Sequence, residues 1–176
     1  GIATALITPF FAGGIDFNKL GRLIDWQIEE GIDALLVCGT TGECSTMSDE
    51  EHKSVIEYAV KRVDKRVPLI AGSGSNDTAY AISLTRFAAD AGADASLSVT
   101  PYYNKTTQKG LVRHFTAIAD QSSIPLIVYN VPSRTGTPVE PETYAELAKH
   151  ENIAAIKEAN SNIDKIVDTM SRVRKD

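Results

Sequence analysis

Short apolar segments alternate with amphipathic segments along this chain, and their regular spacing limits the fold more than any other feature. After the first interval, the short segments recur about every 30 residues, which is the length of one strand-plus-helix unit. Between these segments, apolar residues recur every three or four positions, which is the spacing of one face of a helix. Leu20, Leu23, Ile24 and Ile28 are an example. The short segments are 2–7, 34–37, 68–71, 95–99, 125–129 and 153–156.

Apolar runs without alternation are typical of strands buried on both faces of a parallel sheet, so the pattern predicts an α/β fold. An open doubly wound sheet and a (β/α)8 TIM barrel, here with only its first six βα units, both fit. Residues 72–77 lack the third glycine of a dinucleotide-binding fingerprint, which favours the barrel. Because a barrel takes about 250 residues, we predict a single, incomplete barrel domain over 1–176, belonging to a longer chain.

Hydroxyl residues three positions before a carboxylate predict where two of the helices begin. Ser48 with Glu51 and Ser161 with Asp164 have the spacing of a capping box. Gly31 follows the first helical segment, where a glycine ends many helices.

Charge and cysteine content exclude several classes of protein. The 23 acidic and 18 basic side chains give a formal net charge of −5, which argues against a nucleic-acid partner. Cys38 and Cys44 are too close in sequence for a disulfide framework, which favours a reducing, cytoplasmic setting. No apolar run approaches the roughly 20 residues of a membrane helix, and we expect no membrane association.

Polar residues gather directly after the predicted strands. In a parallel barrel these positions share one rim, where barrel enzymes keep their active sites, so the pattern predicts an enzyme. The segments are 8–9, 39–43, 100–104, 129–132 and 157–158.

A lysine and a tyrosine end two neighbouring strands. If Lys157 points into the barrel, burial lowers the pKa of its amine, as Schiff-base chemistry requires; otherwise it is a lysine that reaches out to water. Tyr129 ends the preceding strand, and a strand spacing of about 4.8 Å would put it within reach of Lys157. Its phenol could move protons, or it could be an amphipathic core residue.

Two further features could bind carboxylates. The turn at 39–42 offers backbone N–H groups and two hydroxyls, although turn formation alone would also explain it. Arg134 could grip a second carboxylate, or be a solvated surface charge. His52, His114 and His150 lack metal-ligand spacing, so we predict no metal site.

Four motifs, in order, resemble the dihydrodipicolinate synthase family of Schiff-base aldolases and lyases. The resemblance covers essentially the whole chain and implies the (β/α)8 barrel. Its motifs are 39–43, 100–105, 129–136 and 156–159.

The resemblance implies a role for each matching residue. Lys157 matches the lysine that forms an imine with pyruvate. Thr40, Tyr129 and Tyr103 match a hydroxyl relay for protons, in which the family's Tyr103 equivalent reaches in from a neighbouring subunit.

Two further matches concern carboxylate binding. Thr41 matches the site for the carboxylate of pyruvate, and Arg134 matches the arginine that holds the carboxylate of aspartate 4-semialdehyde. The implied reaction condenses these two substrates to 4-hydroxy-tetrahydrodipicolinate, in lysine and diaminopimelate biosynthesis.

The resemblance also implies that no cofactor is needed and that the full-length protein is a homotetramer, a dimer of dimers. Lysine feedback inhibition is not expected, because Tyr80 stands where inhibited members have a glutamate. The alternatives are a Schiff-base lyase of a sugar acid such as N-acetylneuraminate or a keto-deoxy-gluconate, a non-catalytic relative that binds a keto acid, and an inactive fragment.

Overall fold

The computed structural model describes residues 1–173, and helices separate the six strands of its larger sheet, as the sequence predicts. The predicted domain extends to residue 176, so its last three residues, 174–176, lie outside the described residues. The strands are β1 (Ala3–Ala5), β2 (Phe10–Phe11), β3 (Gly14–Ile15), β4 (Ala34–Val37), β5 (Leu69–Gly72), β6 (Ala95–Val99), β7 (Leu126–Asn130) and β8 (Ile153–Glu158). The helices are α1 (Phe17–Glu29), α2 (Asp49–Val63), α3 (Thr78–Ala91), α4 (Gln108–Asp120), α5 (Pro132–Thr135), α6 (Pro141–Leu147) and α7 (Ile163–Val173).

The larger sheet has six strands, in the chain order β1-β4-β5-β6-β7-β8, and β2 pairs with β3 in a separate antiparallel ribbon. The described chain divides into two compact units. The first comprises Gly1–Ser73 and Arg86–Ser96, and the second comprises Gly74–Thr85 and the chain from Leu97 onward.

In the first unit, β4 pairs in parallel with β1 on one side and β5 on the other. Leu35, Leu36 and Val37 of β4 are buried, as expected of a strand covered on both faces. Leu20 of α1 and Val55 of α2 are fully buried in the core of this unit.

The local signals of the first unit behave as predicted. Ser48 and Glu51 form the capping box at the start of α2, with both reciprocal hydrogen bonds present. Gly31 follows α1 with φ +84°, a left-handed conformation in which a side chain would be strained.

In the second unit, β7 and β8 pair in parallel, and α4 and α6, which pack against each other, share one hydrophobic core with them. The centre of the core is formed by buried side chains of α4 and β7, together with Tyr144 of α6. The main members from α4 and β7 are Leu111, Phe115, Ile118, Leu126 and Val128.

The predicted cap at Ser161 is wrong. Helix α7 begins at Ile163, and the residue before it, Asn162, accepts a hydrogen bond from the Lys165 N–H at 3.2 Å. The amide oxygen of Asn162 therefore takes the capping position that the hydroxyl of Ser161 was expected to fill.

Helix α7 also exposes much of its apolar side. Ile163, Val167 and Met170, spaced one turn apart, are 70%, 62% and 53% exposed. Among the described residues no helix is both long and apolar enough to cross a membrane.

Candidate active site

Lys157 and Tyr129 lie side by side in the second unit, and the expected proximity of the two is found. They are register partners at the ends of β8 and β7. The Nζ atom of Lys157 is 4.4 Å from the centroid of the Tyr129 ring, and Tyr129 is 7% exposed. The face of the ring attracts the protonated amine through a cation–π interaction.

The Lys157 side chain lies on the sheet face opposite α6. The next residue, Glu158, hydrogen-bonds to Tyr144 of α6, and successive strand residues point to opposite faces. Lys157 is half-buried, and burial lowers the pKa of its amine below the usual lysine value. The sequence left two orientations open, and the structure places the amine away from the helix layer of this unit.

The structure also reveals a polar cluster that the sequence did not predict, formed by Asn130, Glu158 and Tyr144. The Asn130 amide donates to both carboxylate oxygens of Glu158, at 2.9 and 3.0 Å, and the Tyr144 hydroxyl donates to Glu158 at 2.7 Å. Burial, and then the hydrogen bond to Glu158, raise the pKa of Tyr144, so its proton stays in place. Asn130 and Glu158 directly follow Tyr129 and Lys157 in sequence, which was the one available signal.

Tyr103 lies in the loop after β6 and is 92% exposed. Its φ of +65° is left-handed, an uncommon conformation for a bulky residue. The loop is held by Asn76, whose amide donates to the Tyr102 carbonyl at 3.2 Å, and by Asn104, whose amide donates to the Asn76 carbonyl at 3.2 Å. These bonds fix the loop backbone while leaving the phenol of Tyr103 in solvent.

Arg134 is exposed on the short helix α5, which follows β7. The helix starts with Pro132, which favours a first helical position, and ends at Gly136 with φ +66°. The stem of Lys105 packs closely on this end, since a Cβ added to Gly136 would lie 3.1 Å from Lys105 Cε. The loop that carries Tyr103 and the helix that carries Arg134 are therefore neighbours.

Thr40 and Thr41 occupy an exposed turn of the first unit, directly after β4. The Gly42 N–H donates to the Gly39 carbonyl at 3.0 Å, which closes the turn around the two threonines. The Thr8 hydroxyl donates to the Gly42 carbonyl at 2.8 Å, which ties the turn to the segment after β1. The geometry is that of a tight turn with both threonine side chains displayed outward.

The structure thus groups the predicted residues by unit. Lys157 and Tyr129 are in contact, Tyr103 and Arg134 lie on neighbouring segments of the same unit, and the threonine pair belongs to the first unit. No group of three or more His, Cys, Asp or Glu side chains that could hold a metal occurs among residues 1–173.

Cys38 is a core residue rather than an exposed nucleophile. It is 1% exposed, and burial raises the pKa of its thiol.

Comparison with known sequences identifies one family. The chain matches the Dihydrodipicolinate synthetase family over residues 1–176. It is 60% identical over 162 residues to a 4-hydroxy-tetrahydrodipicolinate synthase of Acetivibrio thermocellus, covering 92% of this chain and 56% of that relative.

Comparison with solved structures agrees. The structure is similar to dihydrodipicolinate synthase from Aquifex aeolicus, with a TM-score of 0.97 and 48% identity over 99% of this chain and 60% of that one. It is also similar to the chloride-inhibited dihydrodipicolinate synthase from Acinetobacter baumannii complexed with pyruvate, with a TM-score of 0.96 and 45% identity over 98% of this chain and 60% of that one. The predicted fold, six βα units of a (β/α)8 barrel, is confirmed, and the chain spans less than two thirds of the length of these relatives.

Proposed function

This chain belongs to the dihydrodipicolinate synthetase family, and we propose that the full protein condenses pyruvate with L-aspartate 4-semialdehyde through an imine on Lys157. The observation that carries the proposal is the half-buried amine of Lys157, whose pKa is lowered and which lies over the Tyr129 ring. A solved relative is complexed with pyruvate, which supports the same keto acid as the first substrate.

The first half of the reaction uses the neutral amine of Lys157. It attacks the keto carbon of pyruvate, water leaves, and the resulting iminium withdraws electrons from the methyl group. A methyl proton then leaves and an enamine forms. The phenol of Tyr129 moves protons at this stage, with Thr40 and Tyr103 as further members of the relay, and the contact between the Tyr129 ring and the Lys157 amine supports this role.

The second half forms the ring. The enamine carbon adds to the aldehyde of the semialdehyde, and the amine of that substrate attacks the former keto carbon and displaces Lys157. Thr41 holds the carboxylate of pyruvate, and Arg134, exposed on α5, holds the carboxylate of the semialdehyde. One water is released for each 4-hydroxy-tetrahydrodipicolinate formed, and no cofactor enters the balance.

We further propose that the full protein is a cytoplasmic homotetramer, a dimer of dimers. The exposed phenol of Tyr103, on a loop with a fixed backbone, has the form expected of a side chain that completes a neighbouring subunit's site. Cys38 and Cys44 are free thiols, which fits a reducing compartment. Sedimentation velocity should give the mass of four chains, and a monomer would contradict this arrangement.

The activity is tested by supplying the full protein with pyruvate and aspartate semialdehyde, and separately with N-acetylneuraminate or a keto-deoxy-gluconate. We expect ring formation in the first case, abolished in Lys157→Ala and retained in Lys165→Ala, a lysine paired instead with Glu140. Cleavage of a sugar acid without ring formation would assign the protein to the alternative lyase function, and no reaction with either would contradict both.

A further inference from the structure

The cluster of Asn130, Glu158 and Tyr144 lies directly behind the pair that would carry the chemistry. In the pairing of β7 with β8, Tyr129 faces Lys157 and, one position on, Asn130 faces Glu158. Since side chains alternate along a strand, the second pair lies on the sheet face opposite the first. The two pairs share the same two strand ends.

The hydrogen bonds of this cluster join separate segments of the second unit. The Asn130 amide bonds both oxygens of Glu158, which couples β7 to β8, and the Tyr144 hydroxyl couples β8 to α6. The Asn130 side-chain oxygen accepts from the Val139 N–H at 3.2 Å, which couples β7 to the segment before α6. Asn130 and Tyr144 are 0% and 1% exposed, so water cannot replace these bonds without a local opening.

The cluster also fixes strand register at the point where register matters most. A shift of one residue in β8 would send Lys157 toward the helix layer and Glu158 to the face of Tyr129. The shifted carboxylate would lose three hydrogen bonds, whose donors Asn130 and Tyr144 would remain buried.

We propose that Asn130, Glu158 and Tyr144 act as positioning residues, which hold the Lys157 amine in its half-buried place over Tyr129. The inference rests on the proposed imine chemistry, because the amine is positioned for that reaction. The three residues lie on the sheet face opposite Lys157 and act through the two strand ends.

The test compares Glu158→Gln with Glu146→Gln in the full protein. In Glu158→Gln, the new NH2 group would either face the NH2 group of Asn130 or replace the oxygen that accepts from Tyr144. Glu146 is the control because it lies on the same helix as Tyr144 and forms only an exposed ion pair with Lys149. In Glu158→Gln we expect kcat to fall by about 10- to 10²-fold, with a smaller change in KM for pyruvate, as for a displaced catalytic group. The pH midpoint of imine trapping should rise, because a displaced amine is better hydrated; loss of the Glu158 charge alone would lower it, but that carboxylate faces the opposite side of the sheet, and burial is what lowers the pKa of Lys157.

Two further variants keep the proposal falsifiable if Glu158→Gln folds poorly. Tyr144→Phe removes one hydrogen bond and leaves Glu158 bonded to Asn130, so it should give a smaller shift of the same sign. The double variant Asn130→Asp with Glu158→Gln exchanges donor and acceptor, and should restore both rate and pH midpoint toward the wild-type values. Loss of thermal stability with an unchanged pH midpoint in all three variants would show a purely structural cluster and overturn the proposal.

Labelling of Lys157 by acetic anhydride across pH, followed by mass spectrometry, separates this proposal from the proposed function. The labelling midpoint reports the amine without any substrate. If the wild-type protein fails to trap pyruvate, the proposed function fails. If the labelling midpoint of the wild type is unchanged in Tyr144→Phe, which keeps the Glu158 charge, and in Glu158→Gln, the positioning role fails.

Discussion

Replacing Tyr129 by Phe removes a single oxygen atom and leaves the ring that Lys157 contacts. Tyr129 is only 7% exposed, and the centroid of its ring lies 4.4 Å from the amine. The amine therefore keeps the burial that lowers its pKa, and imine formation with pyruvate should remain close to the wild-type level.

Turnover should respond very differently from imine formation. General acid–base catalysis by a positioned group contributes about 10²- to 10⁴-fold, or about 3 to 5 kcal/mol of activation free energy. The cation–π contact that Phe preserves contributes only about 0.5 to 2 kcal/mol. If Tyr129 moves protons, the loss of its hydroxyl should therefore dominate the kinetics.

The assay measures kcat for the condensation at saturating substrate, and in parallel the yield of borohydride trapping with pyruvate. Tyr58→Phe is the matched control, because Tyr58 packs on Phe17 in the first unit with ring centroids 4.9 Å apart. A Tyr129→Phe enzyme that turns over within a few-fold of the wild type would refute the assignment of this phenol to the proton relay.

Three other predictions concern binding, pH and packing. Arg134→Ala should raise KM for the semialdehyde by about tenfold or more while pyruvate trapping is retained; equal loss of both would make the arginine structural. Burial lowers the pKa of His114 from 6.5 to about 4, so the native state resists protonation, and the free energy of unfolding should fall between pH 6.5 and 4 by at most about 3 kcal/mol. In urea titrations, the free energy of unfolding of His114→Asn should fall less between pH 6.5 and 4 than that of the wild type. An identical pH dependence of the two proteins would contradict this. Gly72→Ala should lower the free energy of unfolding by at least about 2 kcal/mol, since its Cβ would lie 2.0 Å from the Cys38 carbonyl oxygen. Gly39→Ala meets only a flexible side chain and should lower it much less. Equal melting temperatures of the two variants would contradict this packing argument.

The regular alternation of strands and helices was predictable, because it depends on local apolar periodicity. Strand β4 has the predicted bounds, and the capping box of Ser48 and Glu51 forms as its spacing indicates. The cap at Ser161 was not predictable with certainty, because Asn162 competes for the same N–H groups and an asparagine caps as well as a serine.

The contact between Lys157 and Tyr129 was also predictable, since both residues end neighbouring strands. The choice of sheet face was not, because the continuous apolar run 153–156 that precedes Lys157 carries no alternation to orient it. Tyr144 was missed for a different reason: it lies on a helix and meets Glu158 only through tertiary packing. Such a partner leaves no periodic signal in the sequence.

If Lys157 carries the proposed chemistry, its amine becomes covalently attached to pyruvate, and peptide mapping after borohydride reduction detects that attachment. The protein is incubated with pyruvate, reduced and digested with trypsin, which cannot cleave after a modified lysine. We expect a single modified peptide that spans Lys157, with cleavage blocked at that residue. Cleavage after an unmodified Lys157, or an adduct confined to other lysines, would contradict it.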